Sequence, residues 1–501
     1  MTTPPTDSQQ QLTDTLHSLY GYSEFRPQQK EVITNILNGQ DTLVLMPTGA
    51  GKSVCYQLPA LCQPGLTVII SPLISLMFDQ VQDLLSRNII AYRYNSTSTV
   101  PLEQIMDEVQ QGSCKILYTT PETLTTNSRF LMALTDLHAE DMLKRFIIDE
   151  AHCVSNWGHD FRPAYLGLHV KSWFPGIQVC AFTATATKLV SNDIINNLEL
   201  RNPYIARTSF IKSNIQYKIR CKEHDSWTYI GNSLAKCIKE LGYSTKTGIV
   251  YCLSRRECEY MSKVLQSRGI SAAFYHAQIS AAEKDLIQTA WLAGSIKVIV
   301  ATIAFALGIN KADVRYVIHT SMPKSIESYY QETGRAGRDG RPAHCVLYYS
   351  EKDVDILRKM VTDNSTNIDL VPPVRNTDRI DDMYHLCQNN HECLKLQICN
   401  YLGEYLVRPT CTSDETKCYN CLTNSRTACQ TKDHTEAANN LLDAIDGQSL
   451  SEVKSGLTYM ERRILLHLLN NGNLIADIET GAGTGPVERL SKVMDVDKLI
   501  I

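Results

Sequence analysis

Between residues 12 and 207 the chain alternates short apolar runs with amphipathic stretches. The runs are DTLVLM, LTVIIS, CKILYT, RFIID and QVCAFTAT, each followed by a turn signal and then by apolar residues at helical spacing. Strands alternating with helices in this way predict βαβ units and a parallel sheet. The pattern then restarts. TGIVYC, ISAAFYH, KVIVAT, RYVIHT and HCVLYY fall between residues 247 and 349, with helical segments such as RRECEYMSKVLQSRG between them. The expectation is an α/β protein with two parallel-sheet domains in tandem, joined near Ser209–Cys221. Past Asp363 the strands stop, and residues 378–406 read as mainly helical. In the tail, LTYMERRILLHLLNNGNLIADIE predicts a helix, an Asn-Gly turn and a short strand. The polar start, MTTPPTDSQQQ over residues 1–11, predicts a disordered leader.

Composition narrows the class. Of 501 residues, 43% are hydrophobic, enough for large cores and incompatible with wholesale disorder. The formal net charge of −4 excludes a uniformly basic protein, so any nucleic acid must be held in a local groove. No apolar run reaches the roughly 18 residues of a membrane span. No secretory signal opens the chain, so an intracellular, soluble protein is expected, nuclear if eukaryotic. Ten of the 17 cysteines are scattered over the first 386 residues, and seven crowd between Cys387 and Cys429. The scattered ones read as reduced core residues; the cluster reads as something else.

MPTGAGKS lies between a strand and a helix, the context of a phosphate-binding loop. Met46, Pro47, Thr48, Gly49, Ala50, Gly51, Lys52 and Ser53 would cradle a nucleotide triphosphate. Gly49 and Gly51 allow close backbone approach, Lys52 supplies charge to the β/γ-phosphates, and Ser53 offers a hydroxyl to Mg²⁺. Met46 departs from the strict pattern, which has glycine there. About 100 residues on, RFIIDEAHC delivers Asp149 and Glu150 at the end of a strand. Asp149 is placed to hold Mg²⁺ and Glu150 to polarise an attacking water. In QETGRAGRDG, Gln331, Arg335 and Arg338 recur at spacings of four and three, the face of a helix start. Arginines brought to ATP from a second domain would stabilise charge on the γ-phosphate and tie hydrolysis to domain closure.

Taken together these segments resemble superfamily 2 helicases, and specifically the RecQ family, over residues 12–429. The resemblance implies two RecA-like domains. FRPQQKEVI is similar to the family's adenine-recognition motif, which implies that Gln29 bonds the adenine with Tyr22 and Arg26 packed around it. SPLISLMFDQ and TTPETL are similar to motifs that touch the DNA backbone, and FTATAT to the one that couples hydrolysis to strand movement. DEAHCVSNWGHDFRPAY resembles the RecQ loop that senses single-stranded DNA. Trp157, His159 and Phe161 offer faces for base stacking, about 1–3 kcal/mol per base, Arg162 offers charge, and Ser155 is expected at the DNA with them. Ala306, Asn310 and Gln278 depart mildly from the family pattern.

CLKLQICNYLGE resembles the RecQ helix that carries the first zinc ligand. Cys393 takes that place, and Cys411, Cys418 and Cys421 complete a four-thiolate Zn²⁺ site; His385 and His391 are alternative ligands. The implied organisation is a leader at 1–11, an ATP-binding domain at 12–208, and a second helicase domain at 209–362. A helical zinc-binding module at 363–430 and a reduced, winged-helix-like tail at 431–501 follow. The tail carries seven Lys/Arg against eleven Asp/Glu, which opposes phosphate binding. It is expected to be a cap packed through Ile464, Leu465 and Leu468, too short to hold a further whole domain. The implied activity is an ATP-dependent DNA helicase moving 3′→5′ on single-stranded DNA and separating forked or duplex DNA. An RNA helicase and an ATP-gated clamp stand as alternatives.

Overall fold

The computed structural model describes residues 6–155, 162–302, 311–364, 373–404, 411, 416–423, 435–445, 474–479 and 487–492. The chain divides into two compact units. The first runs to Ser209, leaving out Thr187–Leu189; the second runs from Phe210.

The first unit is built on seven strands: β1 (Thr42–Leu45), β2 (Leu66–Ile70), β3 (Ala91–Tyr94), β4 (Ile116–Thr119), β5 (Leu143–Ile148), β6 (Gln178–Thr183) and β7 (Tyr204–Arg207). Their order is β3-β4-β2-β5-β6-β1-β7 and every pairing is parallel. Alternation along each strand splits the core in two. Leu43, Val68, Phe146 and Ile148 pack on one face, while Val44, Met46, Ile69 and Ile147 pack on the other. With both faces covered, the central strands have no polar side, which is why they read as unbroken apolar runs. At the amino-terminal end of this sheet, Lys171 and Asp41 form a buried ion pair at 2.7 Å. Asp41 also accepts the backbone N–H groups of Val179 and Arg201, so no lone pair is stranded.

The second unit contains β8 (Ile215–Cys221), β9 (Gly248–Tyr251), β10 (Ala272–Tyr275), β11 (Val298–Ala301), β12 (Tyr316–His319) and β13 (Ala343–Tyr349). Their order, again all parallel, is β10-β11-β9-β12-β13-β8. The helices Glu351–Asn364, Pro373–Gln388, Leu394–Tyr401 and Tyr419–Thr423 follow. Beyond them the described residues form a helix, Thr435–Ile445, and an antiparallel pair of strands, β14 (Leu474–Glu479) and β15 (Val487–Lys492).

Two expectations change. Residues 6–11, expected as part of a leader, are the opening turns of the helix Thr6–Tyr20. Leu12, Leu16 and Tyr20, spaced four apart, bury one stripe of that helix, and nothing in TDSQQQ breaks it. β14 lies where a strand was expected, but β15 was not foreseen. The helix expected around Ile464, Leu465 and Leu468 lies outside the described residues.

Candidate nucleotide and nucleic-acid site

The sequence motifs of the first unit gather at the carboxyl ends of its strands, where ligands of open α/β sheets bind. β1 runs into the loop 46–51 and the helix Lys52–Cys62. Gly49 and Gly51 take φ of +88° and +89°, the left-handed region that only glycine enters without steric cost. Met46 is fully buried in the core, its N–H donating to the Thr183 carbonyl at 3.1 Å. Its side chain points away from the loop, so the absent glycine costs the loop nothing. Lys52 Nζ donates to the Met46 carbonyl at 3.0 Å, which holds the charge over the loop's own backbone.

Arg26 and Gln29 brace this loop. The Arg26 guanidinium donates to the Gly49 carbonyl. Gln29 Nε2 donates to the Gly51 carbonyl at 3.0 Å, and Gln29 Oε1 accepts the Arg26 N–H at 2.8 Å. Both ends of the Gln29 amide are thus engaged by the protein itself. Tyr22 is half exposed and stacks on Tyr20, the rings 6.4 Å apart and 5° from parallel. Its outer face is open to a flat ligand.

β5 ends at Ile148, which puts Asp149 and Glu150 at the same sheet edge. Asp149 is buried; desolvation and then Glu150 push its carboxyl up to about 7, with Lys52 pulling the other way. Glu150 has φ of +49°, a conformation that costs a non-glycine residue about 1–2 kcal/mol. That turn brings His152 under the carboxylate. His152 Nδ1 lies 3.4 Å from Glu150 Oε2 and 2.9 Å from Thr183 Oγ1. Thr183 Oγ1 bonds the Thr185 backbone in turn. His152 is thus hydrogen-bonded to the end of β6 and stands next to Glu150, whose Oε2 makes no hydrogen bond of its own. Nothing local in the sequence marks this contact, which spans 31 positions; the one signal for His152 is its place in DEAH.

The loop that follows is anchored on both sides. Trp157, His159 and Phe161 lie outside the described residues. Arg162 N donates to the Cys153 carbonyl at 3.2 Å, closing the loop's base, and Arg162 Nη1 donates to the Pro72 carbonyl at 2.9 Å. Ser155, expected at the DNA, is fully buried and donates to Asp193 at 2.6 Å. With no surface to offer, it is an anchor of the loop. Tyr165, also buried and also missed, donates its hydroxyl to the Asp149 carbonyl at 3.0 Å.

In the second unit Gln331 lies in the helix Ile326–Thr333, but Arg335 and Arg338 lie in turns beyond it. The helix ends at Thr333, before either arginine, and Gly337 at φ +61° turns the chain further, so the expected single helical face does not form. Arg335 is buried. Packing, with Arg335 alongside, pushes Arg338 down to about 9, which leaves it cationic at neutral pH. The backbone under the arginines is fixed by a buried pair, His319 Nε2 to Glu332 Oε2 at 2.8 Å.

Cys393, Cys411, Cys418 and Cys421 bring their sulfurs within 4.8 Å of one another. Four sulfurs at roughly 2.3 Å from one Zn²⁺ lie roughly 3.8 Å apart in a tetrahedron. Cys393 is 3.5 Å from Cys411 and 3.9 Å from Cys418, so the donor set fits that ion. Backbone N–H groups of Leu394 and Cys418 point at sulfurs of the cluster, which favours thiolates. Neither His385 nor His391 joins it among the described residues. Cys399 is buried in the core.

Family models place these features. The DEAD/DEAH box helicase model matches residues 26–192, the helicase conserved C-terminal domain residues 232–340, and the RecQ zinc-binding model residues 351–422. The chain is 41% identical over 421 residues to RecQ-like DNA helicase blm-1 of Caenorhabditis elegans, covering 83% of this chain and 42% of that protein. It is 41% identical over 414 residues to ATP-dependent DNA helicase RecQ of Pasteurella multocida, covering 82% and 62%. The chain thus spans about half the length of these two curated relatives. A solved structure of DUF1998 helicase MrfA bound to DNA matches with a TM-score of 0.55 at 18% identity, over 75% of this chain and 56% of that one. That likeness speaks for the fold, two RecA-like helicase domains. Among the described residues no helix is long and apolar enough to cross a membrane.

Proposed function

The chain belongs to the RecQ family of helicases, and from that premise we propose that it hydrolyses ATP to move along single-stranded DNA and separate duplexes. The observation that carries this reading is the placing of His152 between Glu150, 3.4 Å away, and Thr183, to which it is hydrogen-bonded, beside a segment pinned by Arg162 and Tyr165. A motor needs its hydrolytic carboxylate close to elements that touch the track, and the nearness of Glu150, His152 and Thr183 supports that reading.

In this reading the loop 46–53 cradles the phosphates, Lys52 supplies their counter-charge, and the exposed face of Tyr22 receives the base. Gln29 and Arg26 connect the base to the phosphate loop instead of serving the adenine alone. Mg²⁺, when bound, neutralises phosphate charge; Asp149 and Ser53 are the residues that would hold it. Glu150 orients water, set by the turn at positive φ with His152 beside it. Arg335 and Arg338 stabilise the charge that grows on the γ-phosphate. Trp157, His159 and Phe161 stack on bases, and Arg162 steadies their loop. Zn²⁺ in the four-cysteine cluster is structural, since all four positions are filled by protein. The helix Thr435–Ile445 and the β14–β15 pair are read as parts of a reduced winged helix. Movement 3′→5′, a role in repair, recombination or replication, and a nuclear location in a eukaryotic cell complete the proposal.

The test is unwinding of a DNA duplex carrying a single-stranded tail. A 3′-tailed duplex should separate in ATP and Mg²⁺ while a 5′-tailed one should not. Equal unwinding of both, or of neither, would reject the proposed direction or the proposed activity.

A further inference from the structure

We propose that Lys212 and Asn214, in the segment joining β7 to β8, are positioning residues for the arginine loop 334–341. The inference rests on the reading of Arg335 and Arg338 given above. Lys212 Nζ donates to the Gly334 carbonyl at 3.0 Å and sits over the Tyr330 ring, 5.6 Å from its centre. Asn214 Nδ2 donates to the Gly337 carbonyl at 2.7 Å and to the Arg341 carbonyl at 3.0 Å. Each arginine is therefore preceded by a residue whose carbonyl is held from outside the loop: Gly334 before Arg335, Gly337 before Arg338.

The space around the two glycines supports the same assignment independently. A Cβ placed on Gly334 would come 2.8 Å from Lys212 Nζ. One on Gly337 would run into the Asn214 side-chain amide and lie 2.9 Å from the Arg341 carbonyl. The glycines of GRAG are thus the positions where two side chains of the joining segment enter the loop. Because the helix has already ended, these bonds replace the helical ones that would otherwise fix the backbone here.

The joining segment is itself clamped from the other side. Tyr330 donates its hydroxyl to the Phe210 carbonyl at 3.0 Å, and the Phe210 N–H donates to the Glu404 carboxylate at 2.6 Å. Lys395, two residues past Cys393, donates to the Ser213 carbonyl at 3.1 Å. Lys212 and Asn214 thus project from a fixed support. Charge stabilisation of a transition state depends on donors already in place, and a shift of about 1 Å can cost roughly a hundredfold in rate.

The experiment measures steady-state ATP hydrolysis by the full chain with saturating single-stranded DNA, together with ATP affinity and melting temperature. Lys212→Met and Asn214→Ala should each lower kcat by about tenfold while ATP affinity stays within about twofold, since the loss lies in the transition state. Lys212→Arg should restore most of the rate, and Gly334→Ala should reproduce Lys212→Met. In the Arg335→Ala background Lys212→Met should add nothing, because it acts through that arginine. If Arg335→Ala is slow but Lys212→Met and Asn214→Ala turn over at the parental rate, the positioning inference is wrong and the arginine reading stands. Multiplying losses in the double variant would also overturn the inference. A parental rate for Arg335→Ala would instead sink the arginine reading itself. Should Lys212→Met fail to fold, Asn214→Ala and Lys212→Arg carry the same comparison.

Discussion

The Tyr165 hydroxyl donates to the backbone carbonyl of Asp149 at 3.0 Å. Tyr165 follows the aromatic loop and Asp149 precedes it, so this bond joins the loop's far end to the turn that carries Asp149 and Glu150. Tyr165→Phe removes it and leaves a buried carbonyl unpaired, at a cost of about 1–3 kcal/mol. The variant should keep its DNA-free ATP turnover and lose most of the stimulation by single-stranded DNA. Equal loss of both rates would mean that Tyr165 only supports the core.

Asp149 sets a pH dependence. Its carboxyl is raised to about 7 by burial and by Glu150, whereas an unfolded Asp titrates near roughly 3.9. The native state thus holds a proton that the unfolded chain has released. Stability from this group is full below about 4 and falls as pH rises to about 7, by on the order of a few kcal/mol. Melting in nucleotide-free, magnesium-free buffer should show the parent losing stability relative to Asp149→Asn as pH rises from about 4 to 8. Parallel profiles would count against the raised carboxyl.

Edge position explains most of what the sequence concealed. The strands missed by apolar runs, β3, β7 and β8, all lie at sheet edges. AYRY, YIAR and IQYKIRC carry charged or polar residues because one side of an edge strand is uncovered. The central strands were legible because burial on both faces leaves no polar position. At the site, local chemistry was readable and distant contacts were not. The phosphate loop declared itself by glycines at positive φ, but nothing in Ser155 announces Asp193, or in His152 announces Thr183. The arginine spacing suggested a helix because spacing alone does not register that the helix stops at Thr333. In β15, VERLSK lacks strict alternation, so its pairing with β14 was hidden.

The four-cysteine cluster should hold about one zinc per chain. Cys418→Ser should release it and lower soluble yield, because closure of a structural zinc site contributes directly to folding. Metal analysis of well-folded protein with no zinc would rule the site out.

The Lys171–Asp41 pair predicts a stability effect remote from chemistry. Lys171→Met strands the buried Asp41 carboxylate and should cost about 3–5 kcal/mol. The first unit should melt at lower temperature, while the ATP affinity of folded protein at low temperature stays near parental. A melting curve unchanged from the parent would show that Asp41 is satisfied by the N–H groups of Val179 and Arg201 alone.

The most direct measurement is ATP turnover with single-stranded DNA, with single-stranded RNA and with no nucleic acid, on the parent chain and on Lys52→Ala. A DNA motor of the proposed kind should be stimulated strongly by DNA, little by RNA, and should show no hydrolysis in Lys52→Ala under any condition. Equal stimulation by RNA and DNA, or turnover indifferent to both, would contradict the reading of this chain as a DNA-driven helicase.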